Sequence, residues 1–412
     1  MTSVAYAPTS SAGWLDLDAA ASERVGVLLR SLEEPGTLDP LGLGSVRDAF
    51  SGMLSPGTST IQTRLRYFVF LPWIFGRLEA ERVAPGDFAR RLRDLEARLI
   101  DCLRHLGRNQ GVIGYRAGNE VMRLPSEVYW GGLGSWGLRR YDLSLSEYGK
   151  RAAAFGRMRP DLDDDGNVTA GSTSMWARMP PAPEGFLSEP ISFDVEPDEA
   201  QLLSDHIRQC HPRSLFAALC ARPASTLSAA FPWDLRDTGL PGYLDDALRH
   251  AQCFSELTVG PQHLYNVLLA RKARDELRWD TTSVEDAETS RLDAWTKTVM
   301  GRYDELRAWA DDMPGFWAFL GPDANVPHRT QTFVEEVVRR GTQAPEAFAR
   351  DSTLHAILRD REIQLKTKRA RLANRSALEG WNQDPFGGQL NYRWPITRAY
   401  LSDIADGLEG AA

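Results

Sequence analysis

Residues 352–394 read STLHAILRDREIQLKTKRARLANRSALEGWNQDPFGGQLNYRW, and they combine the clearest helical pattern of the chain with its densest positive charge. Asp351 or Ser352 can cap the start, because a short side-chain oxygen accepts hydrogen bonds from the free N–H groups of a first helical turn. No helix breaker follows before Gly380. The pattern therefore predicts one helix over 352–379, roughly 42 Å long.

A narrow apolar seam runs along one side of this predicted helix. Four leucines fall within about 40° of one another when residues are placed at helical steps. Such a stripe is closer to a coiled-coil seam than to a wide core face, and it predicts that a partner helix docks there. The partner-docking candidates are Leu354, Leu358, Leu365 and Leu372.

A row of basic side chains flanks the seam. The window 359–375 holds seven basic and two acidic residues, in a chain whose net charge is −8. Such a row suits phosphates or an acidic partner. A solvated face, whose side-chain stems cover the leucines, explains the same pattern. The nucleic-acid-binding candidates are Arg361, Lys368, Arg371 and Arg375.

A turn-rich loop, 381–388, follows the predicted helix and leads into residues 389–394. Leu390, Tyr392 and Trp394 alternate with polar residues, which predicts a short strand or an aromatic plug. Aromatic rings beside a basic helix suit nucleic acid, because bases stack on rings. They suit a buried hinge equally well.

The composition of the 412-residue chain predicts a folded protein in a reducing compartment. A hydrophobic content of 42% is enough for a core. The four cysteines are scattered without a C-x-x-C motif, which favours reduced, buried thiols. The N-terminus lacks a basic region followed by an apolar run, and no apolar stretch reaches the length of a membrane span. We therefore expect a cytoplasmic protein, and the excess of arginine over lysine is compatible with a GC-rich bacterial genome.

Proline and glycine divide the sequence into two helical halves, and the predicted fold is mainly α. We expect a multi-helix array with at most a few short strands. The N-terminal half, 1–159, contains a helix that is apolar all round, which predicts a buried core helix, bent at Pro72. A linker rich in Pro, Gly and Asp covers 160–197, and the C-terminal half, 198–412, ends with the long basic helix. Two further helices of this half are predicted over 243–257 and 261–277.

Two segments fall short of catalytic motifs. The loop from Gly57 to Thr60 lacks the second glycine and the lysine of a phosphate-binding P-loop, and we interpret its threonines as helix caps. The run Gly134–Gly137 contains a serine but lacks the first glycine of a nucleophile elbow, because position 133 is Leu. No catalytic residue is predicted.

Metal-binding patterns are incomplete as well. Asp161–Gly166 begins like a calcium loop, but Ser172 stands where the bidentate glutamate belongs. His206 and Cys210 share a helix face without a second ligand pair. We therefore predict neither a metal nor a cofactor.

Three segments together resemble a bacterial family, the one catalogued as domain of unknown function 6361. They are residues 37–75 (TLDPLGLGSVRDAFSGMLSPGTSTIQTRLRYFVFLPWIF), residues 123–139 (RLPSEVYWGGLGSWGLR), and residues 365–381 with 390–394 (LKTKRARLANRSALEGW and LNYRW). The resemblance spans nearly the whole chain. It implies a phage-defence setting, beside helicase and phospholipase-D-like nuclease genes, and no chemistry.

The expected function is that of a non-enzymatic subunit of an anti-phage system, more binding protein than enzyme. It would bind DNA or RNA, or a helicase or nuclease partner, through the basic helix. A protein–protein scaffold without nucleic-acid contact is the first alternative. A hydrolase or nuclease whose site forms only in the fold is the second.

Overall fold

A computed structural model describes residues 39–108, 110–155, 175–220, 222 and 228–410. All regular secondary structure in these ranges is helical. The β contact they contain is an isolated bridge between Arg139 and Trp176. The prediction of a mainly α array is therefore confirmed.

The helices follow one another with short connections. In chain order the α-helices of the described residues are α1 (Gly44–Leu54), α2 (Tyr67–Ala80), α3 (Phe88–Leu103), α4 (Pro125–Ser135), α5 (Leu145–Phe155), α6 (Pro197–Cys210), α7 (Leu215–Leu219), α8 (Gly242–Leu277), α9 (Thr282–Gly301), α10 (Tyr303–Asp311), α11 (Met313–Leu320), α12 (His328–Gln343), α13 (Ser352–Lys366), α14 (Arg375–Glu379) and α15 (Trp394–Glu409). Short 3-10 helices lie at Arg104–Leu106, Gly118–Glu120, Pro232–Leu235, Pro322–Ala324, Pro345–Arg350 and Thr367–Arg369.

Helix α2 forms the centre of the first half. Every side chain from Tyr67 to Phe75 is buried, as expected for a helix that is apolar all round. Phe68 stacks on Trp136 with 3.8 Å between ring centroids, and Phe75 stacks on Trp176 at 4.9 Å. The prediction that this apolar helix is core is confirmed.

Helix α8 organises the second half. It is 36 residues long and contains Pro261, so the two helices predicted over 243–257 and 261–277 are one. Proline removes a single N–H from the helical ladder, and tertiary packing can sustain the helix across it. The Gln262 side chain donates to Thr258 O (2.9 Å), and Trp295 of α9 donates to Glu256 O (2.8 Å). These side chains satisfy carbonyl groups around the proline.

The two predicted halves share contacts. Arg66 of the first half donates to both carboxylate oxygens of Glu199, at 2.8 and 3.0 Å, and both side chains are buried. Helix α15 packs on α6, and Thr397 of α15 donates to the Ser55 hydroxyl at 2.7 Å. The division into 1–159, 160–197 and 198–412 stays a prediction, and part of it, 1–38 and 156–174, lies outside the described residues. Residues 175–197 of the expected linker pack on the core, with Met175 and Phe193 buried.

Two compositional expectations can be compared with the fold. All four cysteines are free, but Cys210 is exposed, so the prediction of buried thiols is wrong for that residue. Within the described ranges, none of the helices combines the length and the apolar character needed to cross a membrane.

Candidate functional site

The basic segment is not one helix. Helix α13 ends at Lys366, a 3-10 turn covers Thr367–Arg369, and helix starts again only at Arg375. Thr367 has φ +48° and ψ −114°, a conformation that β-branched residues rarely adopt. The prediction of a continuous helix over 352–379 is therefore wrong.

The carboxylate of Glu362, which is fully buried, holds this turn. It accepts hydrogen bonds from the hydroxyl of Tyr265 (2.6 Å) and from the backbone N–H groups of Arg371 (3.0 Å) and Leu372 (2.8 Å). In a continuous helix those two N–H groups would bond to carbonyls of the preceding turn. Since a hydrogen bond to a charged group contributes about 1.5–3 kcal/mol, these two bonds favour the break.

Arg361 lies inside the protein, with 4% of its surface exposed. Its guanidinium donates to Leu41 O (2.9 Å), Thr330 Oγ1 (2.8 Å) and Gly42 O (3.3 Å), and it lies over the ring of Phe333. Burial lowers the pKa of Arg361. The predicted row of four cations on one solvent-facing helix surface is therefore wrong.

The leucine seam mostly faces the chain's own core. Leu354, Leu358 and Leu372 are buried, whereas Leu365 is 42% exposed. Helix α13 contacts α8 and α12. The structure therefore leaves one leucine of the predicted docking seam at the surface.

The remaining candidate cations belong to residues 366–375, which we call the basic turn. Lys368 and Arg369 are exposed, and no described carboxylate lies within ion-pair distance of either side chain. Arg371 is half-buried. Arg375 donates to Glu276 O (2.7 Å), at the end of α8, and pairs with Glu379 (3.3 Å). The turn thus presents two exposed cations, Lys368 and Arg369, that have no ion-pair partner among the described residues.

The backbone beneath these cations is held in place. The side-chain amide of Asn374 donates to Thr367 O (3.3 Å) and to Lys368 O (3.0 Å). Together with Glu362, it fixes both ends of the turn. A preorganised backbone reduces the conformational entropy lost when a ligand binds.

A second candidate site, which the sequence did not reveal, is a cleft of about 920 Å³. Its walls come from α1, the loop 57–62, Arg123 with one face of α4, and residues 386–393. The three segments that carry the family resemblance therefore meet here. The charged side chains in its lining balance: Arg47, Arg123, Arg393, Asp39, Asp48 and Glu127.

One wall of the cleft is a segment outside the helices, residues 386–392, which we call the strap. Polar side chains of α8 hold its backbone at every second residue. Asn266 exchanges two hydrogen bonds with Phe386, Gln262 accepts from Gly388 N (3.1 Å), and Ser255 accepts from Leu390 N (2.8 Å). At its end the Tyr392 hydroxyl donates to Ala251 O (2.8 Å). The strap is thus tied to a helix and has no paired strand among the described residues.

Glycine is required where the strap passes α8. Gly387 has φ +96°, and a Cβ atom there would lie 2.1 Å from the Gln262 side-chain oxygen. Any other residue would push the strap away from the helix. The pair of glycines at 387 and 388 is the sequence signal for this close approach, although the pattern alone predicts only a turn.

Ser135 lines the cleft, and its hydroxyl lies 2.9 Å from His211 Nε2. The same nitrogen lies 2.8 Å from the backbone oxygen of Ser135. A carbonyl oxygen only accepts hydrogen bonds, so Nε2 carries the proton and donates. A protonated Nε2 cannot take the proton of the serine hydroxyl, and the pair therefore lacks the arrangement of a nucleophile and its base.

Metal ligands do not cluster in the part of the chain that the structure describes. No three His, Cys, Asp or Glu side chains there lie close enough to hold an ion. The sequence Asp161–Gly166, which we compared with a calcium loop, lies outside the described residues.

Comparisons with known proteins identify a family and no activity. A family model described as "Family of unknown function (DUF6361)" matches residues 9–408. No curated protein matches the chain. No solved structure matches it either.

Proposed function

Because the chain belongs to the DUF6361 family over nearly its whole length, and that family has no known function, we propose from its surface that it is a non-enzymatic subunit that binds nucleic acid through the basic turn. The observation that supports this proposal is the pair of exposed cations, Lys368 and Arg369, which lie on a fixed backbone and have no ion-pair partner in the described part of the chain. Phosphate groups suit such a pair, since each contact releases condensed counterions.

The acidic remainder of the molecule makes the contact local. With a net charge of −8, most of the surface repels a nucleic acid, so binding depends on the few cations of the turn. Few phosphate contacts mean modest affinity and a shallow salt dependence. The proposed setting is a bacterial anti-phage system with a helicase and a phospholipase-D-like nuclease, and it follows from the family resemblance.

The experiment is a fluorescence-anisotropy titration of short labelled DNA and RNA, single- and double-stranded, between about 50 and 200 mM salt. The variant Lys368→Ala/Arg369→Ala removes these two cations. If each contacts a duplex phosphate, the slope of log K against log salt should become about 1.8 units less negative. Wild-type protein that binds none of these probes would overturn the proposal.

The matched control is Arg90→Ala/Arg98→Ala, which removes two exposed cations from α3, in the other half of the molecule. It changes the net charge equally. A nonspecific charge effect would weaken both double variants alike, and that result would also count against the basic turn.

An acidic protein surface is the second candidate partner. Carboxylates pair with lysine and arginine as phosphates do. The same two double variants distinguish the cases. If the partner is a helicase or nuclease, the wild type binds no nucleic acid, and Lys368→Ala/Arg369→Ala fails to form the complex with that partner on a sizing column.

A further inference from the structure

We propose that the cleft binds an extended peptide segment bearing an acidic side chain, and that the peptide backbone pairs with the free edge of the strap. This inference rests on the strap and on Arg123. It does not depend on the basic turn or on nucleic-acid binding.

The strap has one used edge and one free edge. The backbone N–H groups of Phe386, Gly388 and Leu390 bond to side chains of α8. The residues between them, Gly387 and Gln389, are exposed, and their backbone N–H and C=O groups have no hydrogen-bond partner among the described residues. The C=O and N–H groups of a trans peptide point in opposite directions. Because Phe386 O, Gly388 N and Leu390 N bond to α8, their peptide partners Gly387 N, Gly387 O and Gln389 O point away from that helix. Gly387 and Gln389 both line the cleft.

An added strand fits this edge. A peptide backbone that lies along the strap can form hydrogen bonds with the free N–H and C=O groups of Gln389 and Gly387. Main-chain pairing of this kind gives affinity with little demand on sequence. Gly387 has no side chain that could block the approach.

The positive charge of Arg123 favours a peptide with an acidic side chain. Arg123 is half-buried in the cleft wall and has no partner among the described residues. The carboxylates of the lining are already engaged: Asp39 accepts three backbone N–H groups, Glu127 accepts one, and Asp48 pairs with an arginine. An acidic side chain on the peptide would supply the missing partner for Arg123.

The mouth of the cleft suits the rest of such a peptide. Ile61 in the lining is 40% exposed, and Met122, next to Arg123, is 96% exposed. A peptide that covers Ile61 would remove apolar surface from water. The volume, about 920 Å³, lies within the range of ligand-binding clefts.

The first experiment selects a ligand from a phage-displayed library of random linear peptides, with the full-length protein as bait. The recovered peptide is then titrated by calorimetry against the wild type and two variants. Gln389→Pro removes one N–H of the free edge, and we expect it to weaken binding at least about ten-fold. Gln389→Ala keeps the N–H, so its loss should stay below about three-fold.

The acidic contact has its own test. Arg123→Ala and replacement of the peptide's acidic residue by its amide should each weaken binding, and the two changes together should cost little more than either alone. Additive losses would overturn the assignment of Arg123. Failure to select any peptide would overturn the whole proposal.

Amide hydrogen exchange on the wild type tests the proposal without a variant, so its result does not depend on whether Gln389→Pro folds. In the free protein, Gly387 and Gln389 should exchange faster than Gly388 and Leu390, which α8 holds. The selected peptide should slow exchange at Gly387 and Gln389. Protection elsewhere without protection at these two amides would show that the peptide binds another surface.

Discussion

Arg361 is a buried cation satisfied mainly by neutral oxygens. Two backbone carbonyls before α1 and a threonine hydroxyl on α12 accept hydrogen bonds from its guanidinium. Among the described residues, no carboxylate lies within ion-pair distance of Arg361. The guanidinium suits this role because its donors spread over a rigid plane. It joins residues that are 320 positions apart in the chain.

Arg361→Lys should therefore destabilise the protein despite keeping the charge. A lysine ammonium is compact and cannot reach all three oxygens, so buried acceptors are left unpaired. We expect a loss of about 2–4 kcal/mol in the free energy of unfolding, measured by urea titration. The control is Arg359→Lys, an exposed position on the same helix, where the change should stay within about 0.5 kcal/mol. Equal, small effects at both positions would contradict the structural role.

The sequence pattern alone does not distinguish the buried Arg361 from the exposed Arg359. Helical periodicity correctly predicts that Leu354 and Leu358 share a face, and both are buried. It cannot show that Arg361 is buried too, because its partners come from Leu41, Gly42 and Thr330. That information belongs to the tertiary fold.

At the scale of elements, the end of α13 is the clearest departure from local pattern. Nothing between Lys366 and Arg375 opposes helix, and the amphipathic spacing continues through Leu372. The break comes from Glu362, whose buried carboxylate takes N–H groups that a continuous helix would use internally. Tertiary hydrogen bonds therefore override propensity here.

The strained threonine of this turn gives a second prediction. Thr367→Gly relieves a positive φ that costs a β-branched residue about 1–3 kcal/mol, and the added freedom of the unfolded chain offsets part of that gain. We expect the variant to be more stable by about 0.5–1.5 kcal/mol in urea unfolding. Thr353→Gly, in the regular first turn of α13, is the comparison and should lose about 0.3 kcal/mol, the difference in helix propensity between threonine and glycine. Destabilisation of the same size at both sites would show that Thr367 carries no strain.

Residues 389–394 illustrate a pattern that was partly informative. The alternation of Leu390, Tyr392 and Trp394 predicts a strand or an aromatic plug, and Tyr392 and Trp394 are buried. Up to Leu390 the backbone N–H groups bond to side chains of α8, whereas Tyr392 (φ +50°) and Arg393 (φ +65°) turn the chain into α15. Sequence spacing within 386–392 cannot identify Asn266, Gln262 and Ser255, so the cleft was not predictable from it.

At the scale of the whole molecule, two buried groups shape stability against pH in opposite directions. Glu96 on α3 accepts from the N–H and hydroxyl of Ser126 on α4, and burial raises its pKa to about 8. The neutral form fits the fold, so its contribution is full below about pH 4.5 and is lost as the pH rises towards 8. Burial lowers the pKa of His250 to about 4. Its contribution is full above about pH 6.5 and is lost as the pH falls towards 4.

The window from about pH 6.5 to 8 therefore isolates Glu96 from His250. Stability should fall there by about 1.4 kcal/mol per pH unit, on the order of 2 kcal/mol in total. Urea unfolding at closely spaced pH values measures this slope. In Glu96→Gln, which keeps an acceptor oxygen for Ser126 and does not titrate, the slope should largely disappear. An unchanged slope in that variant would assign the effect to other groups.

The fold class and the central place of α2 followed from composition and apolar runs, because both depend on short-range patterns. The packing of the two halves against each other could not be predicted from such patterns. It depends on single polar contacts such as Arg66 with Glu199 and Thr397 with Ser55, and such pairs are invisible without coordinates.

The last helix has a consequence for how the protein is made. Leu65 at the entrance to α2 donates its backbone N–H to Asp403, 338 residues later in the chain. A ribosome adding about 5–20 residues per second needs roughly 20–70 s to cover that distance. During this interval the apolar α2 helix is already synthesised while α15, which completes its surroundings, is not. The part of α2 that α15 covers thus stays exposed on the nascent chain until translation is nearly finished.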